Sequence, residues 1–305
     1  MAGVLVIGSS NTDLVCRATR IPAPGETITG RSFATFAGGK GANQAVAAAR
    51  AGARVTFVGA RGDDDLGIAR EADLLAEGIG IDRLRVIPGV SSGVALIVVD
   101  DRGENQIVYV PGANSQISVD DARSAVRDVE HRVLSLTFEV PVETVAFAVQ
   151  QKSDDALVVL NAAPYDERLV DLLGYLDVLI CNEVEASALL GQPVSDATAI
   201  DAASAILERG PRSVVLTLGP SGAFAADASG AWHSPAPPVE SVDTTGAGDA
   251  FCGALCAWLA DGRSLREAVR AGVAAGSLAV TREGAQPALP TRGAIICALD
   301  ALGGG

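Results

Sequence analysis

Short apolar, β-branched runs alternate along the chain with longer stretches in which apolar residues recur every three to four positions. The short runs at 4–8, 55–59, 133–138, 157–161, 178–181 and 214–218 predict strands buried on both faces, because a half-exposed strand would alternate apolar and polar residues instead. The longer pattern predicts helices over 42–51, 66–77, 119–130, 142–150, 166–173, 183–190, 199–209, 247–260, 265–281 and 292–301. Strand followed by helix, repeated from end to end, implies βα units around a mostly parallel sheet. Each predicted strand runs into Gly, Asn or a charged residue, and ligands of such sheets bind at the carboxyl ends of the strands.

Two stretches break this rhythm. Residues 12–36 and 92–112 alternate apolar and polar positions, with Pro22-Ala23-Pro24-Gly25 and Asp101-Arg102-Gly103-Glu104-Asn105 as turns. They predict antiparallel strands outside the main sheet, forming a small lid whose second face needs cover from a substrate or another subunit. No repeat, low-complexity tract or linker interrupts the 305 residues, so a single domain spanning 1–305 is expected.

Composition narrows the function classes. Apolar residues make up 49% and charged ones 20%, enough for a packed core. No apolar run reaches the ~20 residues that cross a bilayer, and the chain start lacks a basic segment, so a cytoplasmic protein is expected. Acidic residues outnumber basic ones 37 to 23, for a net charge of −14, which argues against nucleic acid as a partner. An anionic substrate must then be held by local donors against the overall field. The five cysteines are odd in number and lack a C-x-x-C pair, consistent with reduced thiols; Cys252 and Cys256, four apart, read as core contacts. His131 and His233 lack partners at ligand spacing and are expected to be structural or exposed.

Candidate chemistry gathers after the strands. Asn11-Thr12-Asp13 follows the first, and in extended chain Asn11 and Asp13 share a side, suiting either neighbouring sugar hydroxyls or an Asx turn. Gly38-Gly39-Lys40-Gly41-Ala42-Asn43 opens a helix with bare backbone, a cation and a carboxamide; it is either a small-ligand loop or a glycine-rich turn, and it lacks the spacing of a Walker A loop. Glu139 leaves a carboxylate at a strand mouth. Asn182 and Glu185 form either a capping box or an oxygen-rich anchor for hydrated Mg²⁺. Thr217-Leu218-Gly219-Pro220-Ser221-Gly222 ends a strand with a turn able to present N–H groups to phosphate. In Val242-Asp243-Thr244-Thr245-Gly246-Ala247-Gly248-Asp249, glycines precede a helix start. Asp249 there is either an N-cap or a base beside an anion site suited to phosphoryl transfer.

Taken in order, these motifs resemble the PfkB group of carbohydrate kinases over nearly the whole chain. Asn182-x-x-Glu185 and Gly246-Ala247-Gly248-Asp249 are marks of the group. Asn11-x-Asp13, the Gly38 to Ala45 run and Thr281-Arg282-Glu283-Gly284-Ala285-Gln286-Pro287 are closer to its ribose-phosphorylating branch. The resemblance implies a three-layer α/β/α sandwich with a mostly parallel central sheet and a small β-sheet lid. It implies ATP-dependent phosphorylation of the 5-hydroxyl of D-ribose. The alternative is another kinase of the group, acting on deoxyribose, a nucleoside or a ketohexose.

By the same resemblance the sugar is held by Asn11, Asp13, Gly39, Lys40, Asn43 and Glu139, with Asp249 as base in the loop Gly246, Ala247 and Gly248. ATP lies along Asn182, Thr217, Gly219, Ser221, Gly222 and Gly248, and Glu185 supports Mg²⁺ through water. A monovalent cation, usually K⁺, is held by Asp243 and Thr245 with the carbonyls of Ala279, Arg282 and Gly284. Ala288 departs from the pattern, since a serine hydroxyl often faces the cation there. A homodimer clasped through the lids is expected. A carboxylate at a helix N-terminus is stabilised in its charged form, so Asp249 is expected to be a weak base.

Overall fold

The computed structural model describes residues 3–153 and 155–303. Its strands are β1 Gly3–Ile7, β2 Asn11–Arg17, β3 Ser32–Gly38, β4 Arg54–Gly62, β5 Gly80–Ile87, β6 Gly93–Val99, β7 Asn105–Val110, β8 Val133–Thr137, β9 Leu157–Asn161, β10 Val178–Asn182, β11 Ser213–Thr217, β12 Ala223–Asp227 and β13 Gly230–Ser234. Nine of them form one sheet in the order β13-β12-β11-β10-β9-β8-β1-β4-β5. Pairing is parallel from β11 across to β5 and antiparallel at the β11-β12-β13 edge. The remaining four strands make the small sheet β3-β2-β6-β7, built from the two stretches that broke the βα rhythm.

The apolar runs are buried because the sheet is covered on both faces. Along β1, Val4 and Val6 enter a core with the helices Lys40–Arg50 and Ala247–Ala260. Leu5 and Ile7 point the other way, into a core with the helices Val119–Asp128 and Val142–Gln150. This is the three-layer architecture expected, and the alternating direction of successive strand residues produces it.

Several elements differ from expectation. The stretch 166–173 is not an α-helix but two 3₁₀ turns, Glu167–Asp171 and Leu173–Tyr175. Turns of three residues bring Leu169, Leu172 and Leu173 to one buried side, so the apolar spacing that suggests a helix is met by tighter turns. Strands β5 and β13 lie at the sheet edges and mix in charged or exposed residues, so no apolar run announces them, while β12 carries only the short run Ala223-Phe224-Ala225-Ala226, poor in β-branched residues. The helix expected over 42–51 starts earlier, at Lys40, which puts Lys40 and Gly41 into its first turn.

That early start depends on contact between two backbones. The Ala42 N–H donates to the Ser9 carbonyl (2.8 Å), and a Cβ on Gly41 would lie 2.6 Å from the Gly8 Cα. Only glycine lets the helix start dock on the end of β1. Gly41→Ala should therefore force the two apart and destabilise the protein by about 1–3 kcal/mol, read as a lower urea midpoint. An unchanged midpoint would mean that the contact relaxes freely.

Candidate active site

Asp249 occupies the third position of the helix Ala247–Ala260, whose N-cap is Gly246. It does not cap the helix. The side chain turns inward, where Oδ2 accepts from Asn43 Nδ2 (2.9 Å) and Oδ1 from Gln44 Nε2 (3.2 Å). Both amides are held in turn: Gln286 Nε2 donates to Asn43 Oδ1 (3.1 Å) and the Ser135 hydroxyl to Gln44 Oε1 (3.3 Å). Burial pushes the Asp249 carboxyl up, against the pull of Lys40, Asn43 and Gln44. The expectation of a weak base is thus corrected, because desolvation outweighs the charge of Lys40 and the hydrogen bonds. The Ala247 N–H is taken by the Thr244 carbonyl (3.2 Å). The N–H groups of Gly248 and Asp249 have no acceptor among the described residues.

On one side of Asp249 stand the residues expected to hold a sugar. Glu139 sits past the end of β8, where it accepts from the Lys40 N–H (2.9 Å) and the Ser9 hydroxyl. Gly39 is the buried N-cap of the Lys40–Arg50 helix. Burial would push the Lys40 ammonium down, but Asp249, Glu139 and Glu185 outweigh it and leave it above its ordinary value. Asn11 and Asp13 lie two apart on β2 and therefore face the same side of the small sheet. Asn11 Oδ1 accepts from Asn114 Nδ2 (2.7 Å), and Asn114 Oδ1 accepts from the Ser10 N–H (3.0 Å). Asp13 shares a cross-sheet row with Phe36, Ala95 and Tyr109. Its carboxyl is pushed up to about 6 by burial and by Glu139, with Asp249 adding and Arg70 opposing.

On the other side lies a cavity of about 410 Å³ lined by Lys40, Asn182, Glu185, Thr217, Gly248 and Asp249 among others. It shares Thr217, Gly219, Thr244 and Gly248 with a larger cavity of about 670 Å³, whose far wall is apolar, with Pro237, Val239, Phe251, Val273 and Val280. Asn182 and Glu185 do form a capping box: Glu185 accepts from the Asn182 N–H (2.8 Å) and Nδ2 (3.0 Å), and the Glu185 N–H donates to Asn182 Oδ1 (2.9 Å). The box also leaves the Glu185 carboxylate at the cavity wall. Burial raises Glu185, opposed by Asn182 and Lys40. Gly222 lines the larger cavity. Ser221 lines neither: its hydroxyl turns to Asp196 and its N–H to the Leu218 carbonyl (3.0 Å).

Of the residues expected to hold a cation, Asp243, Thr245 and Gly284 are joined by hydrogen bonds. Asp243 Oδ1 accepts from the Thr245 N–H (2.9 Å) and hydroxyl (2.6 Å), and Oδ2 from the Gly284 N–H (2.9 Å). Burial works against this carboxylate, yet the bonds from Thr245 and Gly284 and the charge of Arg17 hold it below its ordinary value. Ala279 and Arg282 join through the Arg282 N–H to Ala279 carbonyl bond (3.3 Å), and Ala288 is buried. Oxygen-rich, with one ionised carboxylate, this donor set fits a hard monovalent cation.

Asn114, Gln44, Gln286 and Tyr109 escaped sequence reasoning. Gln44 and Gln286 lie inside quoted motifs, but only the fold aims them at the Asp249 cluster. Neither histidine enters the site: His131 Nδ1 bonds the Val129 carbonyl (2.7 Å) and His233 stacks on Phe224. Cys252 and Cys256 are both buried, and no cluster of three or more metal-ligating side chains exists among the described residues.

Over residues 1–292 the sequence matches the family described as pfkB family carbohydrate kinase. It is similar to Bacillus subtilis ribokinase, with 39% identity over 295 residues covering 96% of this chain and 97% of the relative. Identity to Haemophilus influenzae ribokinase is 38% over 290 residues, covering 94% and 95%. Among solved structures, Arabidopsis thaliana ribokinase complexed with ribose and ATP aligns with a TM-score of 0.88 and 30% identity, covering 98% of each chain.

A carboxylate buried beside Glu139 and Asp249, as Asp13 is, is costly for the fold. With its folded value above its ordinary one, Asp13 binds protons more tightly folded than unfolded. Stability is therefore lowered above pH about 6 and recovers as pH falls toward 3.8. Asp13→Asn should stabilise the protein by about 1–3 kcal/mol at neutral pH, with the gain shrinking toward pH 4, as denaturant melts across pH would show. A gain independent of pH would contradict this electrostatic origin.

Proposed function

The chain belongs to the pfkB family of carbohydrate kinases, and from that premise we propose that it transfers the γ-phosphoryl group of ATP to the 5-hydroxyl of D-ribose. The products are ribose 5-phosphate and ADP. The observation that carries this reading is the position of Asp249, buried between the polar cluster of Asn11, Asp13, Lys40, Asn43 and Glu139 and the cavity that opens past Gly248. The similarity to a ribokinase complexed with ribose and ATP supports the same assignment of the two sides.

In this scheme Asn11, Asp13, Asn43, Glu139 and the backbone at Gly39 and Lys40 hydrogen-bond the sugar hydroxyls. The 5-hydroxyl faces Asp249, which takes its proton as the oxygen bonds to the γ-phosphorus. The bond from that phosphorus to the bridging oxygen breaks, and ADP leaves with the electron pair. A loose transition state of this kind needs alignment and charge neutralisation more than a strong base. Lys40 and the N–H groups of Gly248 and Asp249 supply both. The polar cavity with Asn182, Thr217 and Gly219 takes the phosphates, and the apolar walls at Val239, Phe251 and Val280 take the adenine. Ser221 contributes through the turn it forms, not through its hydroxyl.

Glu185 would hold Mg²⁺ through water, and the ion when bound neutralises phosphate oxygens. The Asp243, Thr245 and Gly284 group would hold K⁺ beside the catalytic helix, with Ala288 offering no hydroxyl. We read the protein as cytoplasmic: its five cysteines are unpaired, and no described helix is long and apolar enough to cross a membrane. The small sheet exposes Phe33, Leu96 and Val108, an apolar surface suited to a second copy, so a homodimer through the lids is part of the proposal.

Asp249→Asn should cut turnover by about 10²- to 10⁴-fold while ATP affinity, measured by calorimetry, stays near that of the parent. Turnover close to normal would remove Asp249 from the role of base. A coupled assay of ADP release across pentoses, hexoses and nucleosides should favour ribose, with higher rates in K⁺ than in Na⁺. A preference for 2-deoxyribose, a nucleoside or a ketohexose would overturn the substrate, and equal rates in both salts would overturn the cation site.

A further inference from the structure

The helix Asp65–Ala76 runs beside the root of the small sheet and sends one cation into it. Arg70 Nη1 donates to Thr12 Oγ1 (3.0 Å) and to the Phe36 carbonyl (3.4 Å), while Nε donates to Asp73 (2.8 Å). Thr12 precedes Asp13 on β2, and Phe36 is the register partner of Asp13 on β3. A single guanidinium thus ties a helix of the main body to both strands at the Asp13 level. Its side chain is 13% exposed, so its charge is only weakly screened by solvent.

Asp13 occupies an unfavourable place for a carboxylate. Burial works against its charge, Glu139 faces it from beyond β8, and Asp249 faces it from the helix Ala247–Ala260. Arg70 is the cation acting in the opposite direction on Asp13. Lys40 is engaged with Asp249, Glu139 and Glu185. On the Arg70 helix, Asp73 is paired with Arg70 and Glu71 with Arg61. Strands β3 and β6 bring no charged side chain, and Tyr109 in the same row is pushed up to about 12, so it stays neutral.

We propose that Arg70 is a positioning residue for the sugar site: its guanidinium clamps Thr12 and the Phe36 carbonyl so that Asp13 stands in place and ionised against Glu139 and Asp249. An ionised carboxylate accepts from two neighbouring hydroxyls at once, whereas a protonated one gives up part of that capacity. Arg70 lies outside both cavities and touches no reacting group. It acts only through Asp13, and its effect on sugar binding rests on the role given to Asp13 above.

Carbon-13 NMR of the full chain labelled at aspartate carboxyls follows Asp13 directly, with Asp13→Asn to assign the signal. The midpoint should lie near 6 in the parent and rise by about one unit in Arg70→Gln, while the charge-preserving Arg70→Lys should largely restore it. Thr12→Val removes an acceptor of the guanidinium without changing net charge or shape, and should move the midpoint the same way by less. These readouts need no sugar, so they stand apart from the choice of substrate. For any sugar turned over, the acid limb of kcat/KM should shift up with the midpoint, with the KM for ATP unchanged. An unmoved midpoint in Arg70→Gln overturns the proposal; if that variant fails to fold, an unmoved midpoint in Thr12→Val does so.

Discussion

The site depends on one electrostatic constraint: several carboxylates must be buried close together without abandoning their charge. Asp249 and Glu185 line the cavity beside Lys40, and Asp13 and Glu139 are coupled to Asp249 through their charges. Burial pushes Asp13, Asp249 and Glu185 toward their neutral forms. Lys40 answers three of them, and the amides of Asn43 and Gln44 answer Asp249 with directed hydrogen bonds. Without the lysine and these donors, the same residues would be protonated or the fold would loosen to hydrate them.

Local geometry follows from that constraint. For Lys40, Asn43 and Gln44 to reach Asp249, the Lys40–Arg50 helix has to start against the end of β1, and the Gly8–Gly41 contact permits it. The Ala247–Ala260 helix approaches from the other side and packs on the same core. Two helix starts therefore meet over the carboxyl ends of the strands; the first N–H groups of the Lys40–Arg50 helix are taken by Glu139 and Ser9, so those of Gly248 and Asp249 are the ones left for an anion. The net charge of −14 makes these local donors necessary, since the rest of the surface repels phosphate.

Much of this was legible beforehand. Buried strands with no polar face appear as unbroken apolar runs, so β1, β8, β9, β10 and β11 could be read almost to the residue, whereas the edge strands β5 and β13 have no such signature and the short alanine-rich β12 has a weak one. The motif residues that line cavities, such as Asn182, Glu185, Thr217 and Gly248, stand at strand ends and helix starts, which periodicity locates. Ser221 shows the limit: the resemblance placed it along ATP, yet it lines neither cavity and its hydroxyl turns to Asp196. Asp249 shows another, because its helix-start position alone argued for a low value while burial decided the opposite direction.

By itself, the sequence determined the βα order, the small sheet inserted into it, the acidic surface and the residue types available at each strand end, all of which follow from local pattern. The tertiary structure alone decided which of those residues act together. Asn43 and Asp249 are 206 positions apart, and Gln286 and Asn43 are 243 apart, so no local spacing relates them. It also decided how strongly each group holds its proton, since desolvation depends on everything packed around a side chain. Arg70 belongs wholly to this second kind: an unremarked helix residue in the chain, it acquires a role only where two sheets meet.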